Sequence, residues 1–122
     1  MTTPTIGPKP AALNFRIRQG STFGTTLTYR DSDSNAVDLT GYTARMQIRE
    51  ELSSPSTLLS LTDVDGLTLG GVAGTIDILI TATQTAALDF DSAVYDLELQ
   101  TGAVVVPLVA GAVILDREVT RD

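Results

Sequence analysis

The 122-residue chain contains no cysteine, no histidine and no tryptophan. Without cysteine, no disulfide bond and no thiolate metal site can form, and the redox compartment cannot be inferred. Without histidine, the chain lacks the side chain that changes charge near neutral pH and most often serves as a general acid or base. These absences argue against an enzyme. We therefore expect no catalytic residues, no bound metal and no cofactor.

Positive charge and long apolar runs are also scarce. Eight Lys and Arg residues stand against 15 Asp and Glu, which gives a net charge of −7. A nucleic-acid surface would need a basic patch to overcome phosphate repulsion. No apolar run approaches the ~20 residues of a membrane helix, and the first residues lack the apolar core of a signal peptide. We expect a soluble protein made in the cytoplasm that binds neither nucleic acid nor membrane.

A two-residue alternation is the clearest pattern that the sequence does contain. In residues 42–49 the apolar positions are Tyr42, Ala44, Met46 and Ile48, with polar residues between them. Such alternation is typical of a half-buried strand in an antiparallel sheet. Similar segments recur, separated by turn residues, at 13–18, 23–29, 57–62, 67–69, 74–81, 94–100 and 103–115. The sequence predicts an all-β fold, a sandwich or small barrel of about seven to nine short strands.

Three segments depart from this pattern. Pro4, Pro8 and Pro10 lack a backbone N–H, so residues 1–12 are predicted to form an extended arm outside any central sheet, followed by a β-sandwich domain over 13–122. Residues 83–88 predict one short helical turn with Thr83 as N-cap. Pro107 within the last strand predicts an edge position or a bulge.

Clustered carboxylates raise the question of metal binding. Asp31, Asp33 and Asn35 match the opening of a calcium loop, but Ala36 stands where glycine is needed and Tyr42 where a closing glutamate is needed. We therefore favour a solvated hairpin turn over a calcium site. We also expect solvated turns, rather than metal ligands or a glycosidase acid and base, at two other pairs: Asp63 with Asp65, and Asp89 with Asp91.

Arginine supplies seven of the eight basic residues. Its planar guanidinium forms two-pronged pairs with carboxylates and is enriched at protein interfaces. Arg45 and Arg49 share one face of their strand, and two interpretations stay open: pairing within the sheet to Asp77, Asp96 or Glu98, or salt bridges between subunits. The candidate interface residues are Pro4, Pro8, Pro10, Arg16, Arg18, Arg45, Arg49, Arg117 and Arg121.

The last strand is apolar on both faces over residues 104–109 and 113–115. A strand of this kind needs cover on both sides. We expect part of that cover to come from another chain.

Two motifs carry a resemblance to a known family. These are DLTGY at 38–42 followed by an arginine-rich strand, and YDLEL at 95–99 followed by a hairpin. Over about 13–121 the chain resembles the immunoglobulin-like N-terminal domain of bacteriophage baseplate upper proteins and their small stand-alone relatives. The resemblance implies an immunoglobulin-like antiparallel β-sandwich.

The same resemblance implies a non-enzymatic structural subunit of a tailed-phage virion. The expected role is a baseplate or tail-fibre adaptor, present in many copies and bound to other virion proteins, at the tail rather than the head. Because no fibre sequence follows Asp122, we expect a separate subunit. One alternative is a capsid decoration protein. Another is a carbohydrate- or receptor-binding module, for which Phe90 is the one aromatic residue outside a core-phase position.

Overall fold

The computed structural model describes the backbone of residues 5–6 and the whole of residues 11–120. These residues form ten strands and two short helices, which confirms the predicted all-β fold. The strands exceed the predicted seven to nine because the N-terminal segment adds two short ones, and a 3-10 turn accompanies the predicted helical turn. The strands are β1 (Thr5–Ile6), β2 (Ala11–Ala12), β3 (Phe15–Arg18), β4 (Phe23–Tyr29), β5 (Thr43–Arg49), β6 (Leu59–Thr62), β7 (Leu67–Leu69), β8 (Thr75–Ile80), β9 (Ser92–Thr101) and β10 (Val104–Asp116). The helices are a 3-10 turn (Gly71–Ala73) and α1 (Ala82–Ala86).

The strands are arranged in two sheets. The small sheet has the order β1-β4-β8-β7, and the large sheet has the order β2-β10-β9-β5-β6, with β3 also beside β10. With β4 to β10 labelled B, C, C′, D, E, F and G, the sheets contain B-E-D and G-F-C-C′. This distribution of strands is that of immunoglobulin-like domains, with a C′ strand beside C as in the variable type but no C″ strand among the described residues. The fold is an immunoglobulin-like β-sandwich.

The alternating pattern places the core between the two sheets. On β5, Ala44, Met46 and Ile48 are buried, while the residues between them are exposed or half-buried. The facing strand β8 buries Ile76, Ile78 and Ile80 in the same way, as predicted for residues 74–81. Each fully buried aliphatic side chain of this kind stabilises the fold by about 1.5–3 kcal/mol.

Pro107 lies at a β-bulge, which confirms one of the two positions predicted for it. The pairing of β10 with β9 shifts register between Pro107, opposite Glu98, and Val109, opposite Leu97. Because the bulge adds one residue to β10, Leu108 and Val109 are both buried although they are consecutive.

The helix α1 begins two residues earlier than predicted. Its N-cap is Thr81, not Thr83, because a capping box needs Gln or Glu three residues after the cap, and Gln84 meets this need for Thr81. The Gln84 N–H donates to Thr81 Oγ1 (3.2 Å), and the Thr81 N–H donates to Gln84 Oε1 (2.9 Å). No helix in the described part of the chain is long and apolar enough to cross a membrane.

The buried hydroxyl of Thr85 ties α1 to the turn between β3 and β4. Its Oγ1 accepts a hydrogen bond from the Gly20 N–H (3.0 Å) and donates to the Ser21 carbonyl (2.8 Å). We expect Thr85→Val to lower the free energy of unfolding by about 1–3 kcal/mol, because the shape is kept while two backbone groups lose their partner. Thr83→Val, at an exposed position of the same helix, is the control for urea denaturation. Equal losses in both variants would contradict the role given to this hydroxyl.

Two short strands formed by the N-terminal segment lie at sheet edges. Thr5–Ile6 pairs in parallel with Thr28 and Tyr29 of β4, and Ala11–Ala12 pairs in parallel with Val109 and Ala110 of β10. The candidate residues Pro4, Pro8, Pro10 and Arg121 lie outside the described residues. The predicted arm over 1–12 and its boundary with the domain stay a prediction.

Leu13 and Asn14 connect β2 to β3 and run beside Gly111 of β10, with which both strands pair in parallel. The Leu13 N–H donates to the Ala110 carbonyl (3.0 Å), and Asn14 Oδ1 accepts from the Ala112 N–H (2.9 Å). The buried hydroxyl of Tyr95 donates to the Leu13 carbonyl oxygen (2.6 Å). These hydrogen bonds join the first part of the domain to its last strand.

Burial raises the pKa of Tyr95 above its ordinary value of 10.0. The fold therefore retains this proton at a pH where the unfolded chain releases it. The stabilisation is complete below pH 10 and is lost as the pH rises through the higher pKa of the folded state. We expect the free energy of unfolding to fall more steeply above pH 10 in the wild type than in Tyr95→Phe, as measured by urea denaturation from pH 8 to 11.5. Parallel slopes in the two proteins would contradict this assignment.

Candidate functional site

Four of the predicted interface arginines share one surface, the outer side of the large sheet. Phe15 and Ile17 point into the core from β3, so Arg16 and Arg18 point outward, and the alternation on β5 places Arg45 and Arg49 outward too. We call the centre of this surface the mixed-charge face. It consists of the outward residues of β5 and β9: Thr43, Arg45, Gln47, Arg49, Val94, Asp96, Glu98 and Gln100.

Arg45 forms an ion pair with Glu98, its directly opposite neighbour on β9. Of the three carboxylates predicted as partners, the structure selects this one; Asp77 lies on the small sheet and accepts a hydrogen bond from Thr26 Oγ1 (2.6 Å). The side chains of Arg45 and Glu98 are 57% and 22% exposed. A pair this exposed to water contributes at most about 1 kcal/mol to stability. Its use between subunits stays a prediction.

Arg49 and Asp96, on the same face, are not paired with each other. Arg49 donates to Gln47 Oε1 (3.0 Å) and to the Ser54 carbonyl (2.9 Å). Asp96 makes no ion pair with any residue that the structure describes. A shallow cleft of about 110 Å³ lies here, lined in part by Leu52 and Val94. Within the described part of the chain, Asp96 is thus a carboxylate outside any ion pair, in a cleft that it shares with Arg49 and apolar side chains.

Ion pairs also hold the ends of β3 and β10. Arg16 Nη1 lies 2.6 Å from Asp116 Oδ1. Arg117 Nη1 lies 2.7 Å from Asp89 Oδ1, and its Nε lies 3.4 Å from Asp91 Oδ1. Hydrogen bonding to Asp89, with a smaller contribution from Asp91, raises the pKa of Arg117. Both aspartates are largely exposed, as predicted, but they serve as partners of Arg117 and not only as solvated turn residues.

The other acidic turns use their carboxylates to hold the backbone. Asp31 Oδ1 accepts from the N–H groups of Asp33 (2.9 Å) and Asn35 (3.0 Å), and Asp63 Oδ1 accepts from the Ala44 N–H (3.2 Å). The Asp31 bonds form a tight turn that the antiparallel bridge between Arg30 and Ala36 closes, as expected for Asp and Asn residues in turns. The hairpin predicted at Asp63 and Asp65 is wrong, because this turn leads from β6 of the large sheet to β7 of the small sheet. Across residues 11–120, no three Asp or Glu side chains cluster so that they could hold a metal ion.

The hairpin between β9 and β10 exposes apolar side chains. Val104 and Val105 are 59% and 43% exposed, whereas Val113 and Leu115 at the other end of β10 are buried. Other residues of the chain therefore cover the apolar side chains of β10 near Val113 and Leu115, but those near Val104 stay exposed. Cover of the Val104 end by another chain stays a prediction.

Phe90 is a correction to the sequence analysis. It is only 7% exposed and belongs to the core, although its position lies outside the alternating strand pattern. The five other aromatic residues are buried or half-buried as well. Sugar sites use exposed aromatic rings for stacking. The six aromatic residues of this chain therefore give no support to a carbohydrate-binding module.

Sequence reasoning missed that Arg16 and Arg18 extend the surface that contains Arg45 and Arg49. β3 lies in parallel beside β10, with Arg16 opposite Ile114. No local pattern in residues 13–18 indicates a partner so far along the chain.

No protein-family model and no curated protein matches this chain. Among solved structures, a crystal structure of chicken TCR is similar to it, with 13% sequence identity and a TM-score of 0.48. The similarity covers 96% of this chain and 58% of that chain, so this chain spans less than two thirds of the solved one. Identity this low says nothing about function, and the fold assignment rests on the strand order described above.

Proposed function

We propose that this protein is a non-enzymatic structural subunit of a tailed-bacteriophage virion, an adaptor of the baseplate or tail-fibre region. The observation that carries the proposal is the apolar end of β10. Val104 and Val105 stand exposed at a hairpin tip, where no described residue covers them. Exposed apolar residues of this kind mark protein contact surfaces when they cluster beside polar ones.

The sequence resemblance supplies the setting. The motifs at 38–42 and 95–99 are the ones in which the sequence resembles baseplate upper proteins, and both lie at structured positions. The first forms the turn into β5, where Asp38 Oδ1 accepts from the Thr40 N–H (2.9 Å) and hydroxyl (2.6 Å). The second forms the centre of β9, with Asp96 and Glu98 on the mixed-charge face. The motifs thus shape the sandwich and its proposed contact surface.

Such a subunit would act through repeated contacts. The sandwich presents the β9–β10 tip and the mixed-charge face to neighbouring proteins of the particle. Binding of many copies raises the overall avidity without any single strong contact. Adaptors of this kind join fibres to the tail by position and number, with no chemical step.

Fractionation of purified phage particles tests the proposal. Particles of the phage or induced prophage that encodes this chain are separated into heads and tails, and the protein is quantified in each fraction by mass spectrometry. We expect it in the tail fraction at a constant ratio to known tail proteins. Recovery with heads would replace the adaptor by a capsid decoration protein. Absence from intact particles would remove the virion function altogether.

A further inference from the structure

The charges on the mixed-charge face are arranged in two neighbouring strands of opposite character. The outward side of β5 carries the cations Arg45 and Arg49, and the outward side of β9 carries the anions Asp96 and Glu98. The register aligns Arg45 with Glu98 and Gln47 with Asp96. A surface with a cationic row beside an anionic row can be complementary to itself.

We infer that the mixed-charge face binds a second copy of this chain as a two-fold symmetric dimer. A two-fold axis parallel to the strands, between β5 and β9, exchanges these two strands between the subunits. It places Arg45 opposite the partner's Glu98, and Gln47 opposite the partner's Asp96. Asp96, which has no cation among the described residues, then gains an amide donor.

A second two-fold axis could also bring the two faces together, but the charges favour the axis parallel to the strands. An axis perpendicular to the strands and centred on Gln47 would place Arg45 opposite the partner's Arg49. Juxtaposed like charges disfavour that arrangement, whereas the parallel axis places Arg45 of each subunit opposite the partner's Glu98. Of these two axes, only the parallel one makes the face complementary to itself.

Apolar side chains beside the charged rows supply contact area. Leu52 is 91% exposed near the Arg49 end, and Val105 is 43% exposed on β10 at the opposite end. Together with β10 and β6 on either side, the mixed-charge face spans four strands at a spacing of ~4.8 Å, and β5 is seven residues long, so this outer side of the large sheet measures ~20 by ~24 Å. This size is at the low end for specific interfaces, so we expect dissociation in the micromolar range, ~10 μM.

Charge reversal at the Arg45–Glu98 row tests the dimer by sedimentation velocity between about 1 and 200 μM. Arg45→Glu leaves two carboxylates in the row, and Glu98→Arg leaves two cations. We expect each change to weaken self-association at least about tenfold. An equimolar mixture of the two variants should form a heterodimer at least as tight as the wild-type dimer. In that heterodimer the two carboxylates of the Arg45→Glu subunit face the two arginines of the Glu98→Arg subunit.

Two further variants separate loss of the dimer from loss of folding. Asp96→Arg breaks no ion pair within the described chain, so it should fold normally and still weaken the dimer. Asp77→Arg, on the small sheet, is the matched control and should leave the dimer unchanged. A wild type that stays monomeric at 200 μM would overturn the inference, as would folded variants that dimerise like the wild type, or a mixture that stays monomeric. These measurements use the isolated protein, so their outcome is independent of where the protein lies in a virion.

Discussion

Replacement of Leu97 by alanine is expected to lower the free energy of unfolding by about 2–5 kcal/mol. Leu97 has no exposed surface and lies on β9 between Met46 of β5 and Val109 of β10. Truncation removes buried apolar surface and leaves a cavity that the surrounding strands can close only in part. A domain of 122 residues has a total stability of about 6–18 kcal/mol, so this single change would remove a large share of it.

Leu79→Ala provides the control for this prediction. Leu79 is also on a strand, but it is 49% exposed on the outer side of the small sheet. Urea denaturation of both variants should give a loss several times larger for Leu97→Ala. Similar losses would contradict the placement of Leu97 in the core.

The second large effect is expected at Gly111, where the neighbouring backbone of Leu13 leaves no room for a side chain. A Cβ there would meet the Leu13 carbonyl oxygen, and would lie 2.8 Å from its carbonyl carbon and 2.9 Å from Asn14 Oδ1. The obstructing atoms are mainly backbone, so they cannot move without displacing the junction of β2 and β3. We expect Gly111→Ala to cost about 1–3 kcal/mol or more. Gly24→Ala is the control, because its Cβ would come no closer than 3.8 Å to another residue.

The Leu13 carbonyl predicts coupling between Gly111 and Tyr95, because it lies close to both residues. If the added methyl group displaces the Leu13 carbonyl, the Tyr95 hydroxyl loses its acceptor. Tyr95→Phe should then cost less in the Gly111→Ala background than in the wild type, and a double-mutant cycle measures the difference. Strictly additive losses would mean that the Leu13 carbonyl does not connect the two residues.

Local pattern was sufficient to predict most of the sandwich. The alternation in residues 42–49 identifies β5 and the side that it buries, and Pro107 identifies the bulge in β10. The helix cap was misplaced because Thr81 and Thr83 are both suitable caps by residue type. Only the reciprocal bond with Gln84 distinguishes them.

Long-range pairing was beyond what local pattern could predict. Phe90 is outside any alternating strand, so nothing nearby indicates that it is buried in the core. The docking of β3 against β10 depends on the absence of a side chain at Gly111, far along the chain. The sequence identified Arg45 and Arg49 as one face and named Glu98 among the possible partners. It could not select Glu98 over Asp77 and Asp96 without the register of β5 and β9.

Immunogold electron microscopy of purified virions tests the proposal that this protein is a structural part of a phage tail. Antibody raised against the folded protein is applied to particles whose tail and head epitopes are shown to be accessible by control antibodies. The proposal predicts gold at the distal end of the tail, in a number consistent with several copies per particle. Gold over the head, or no gold on particles that the control antibodies label, would contradict it.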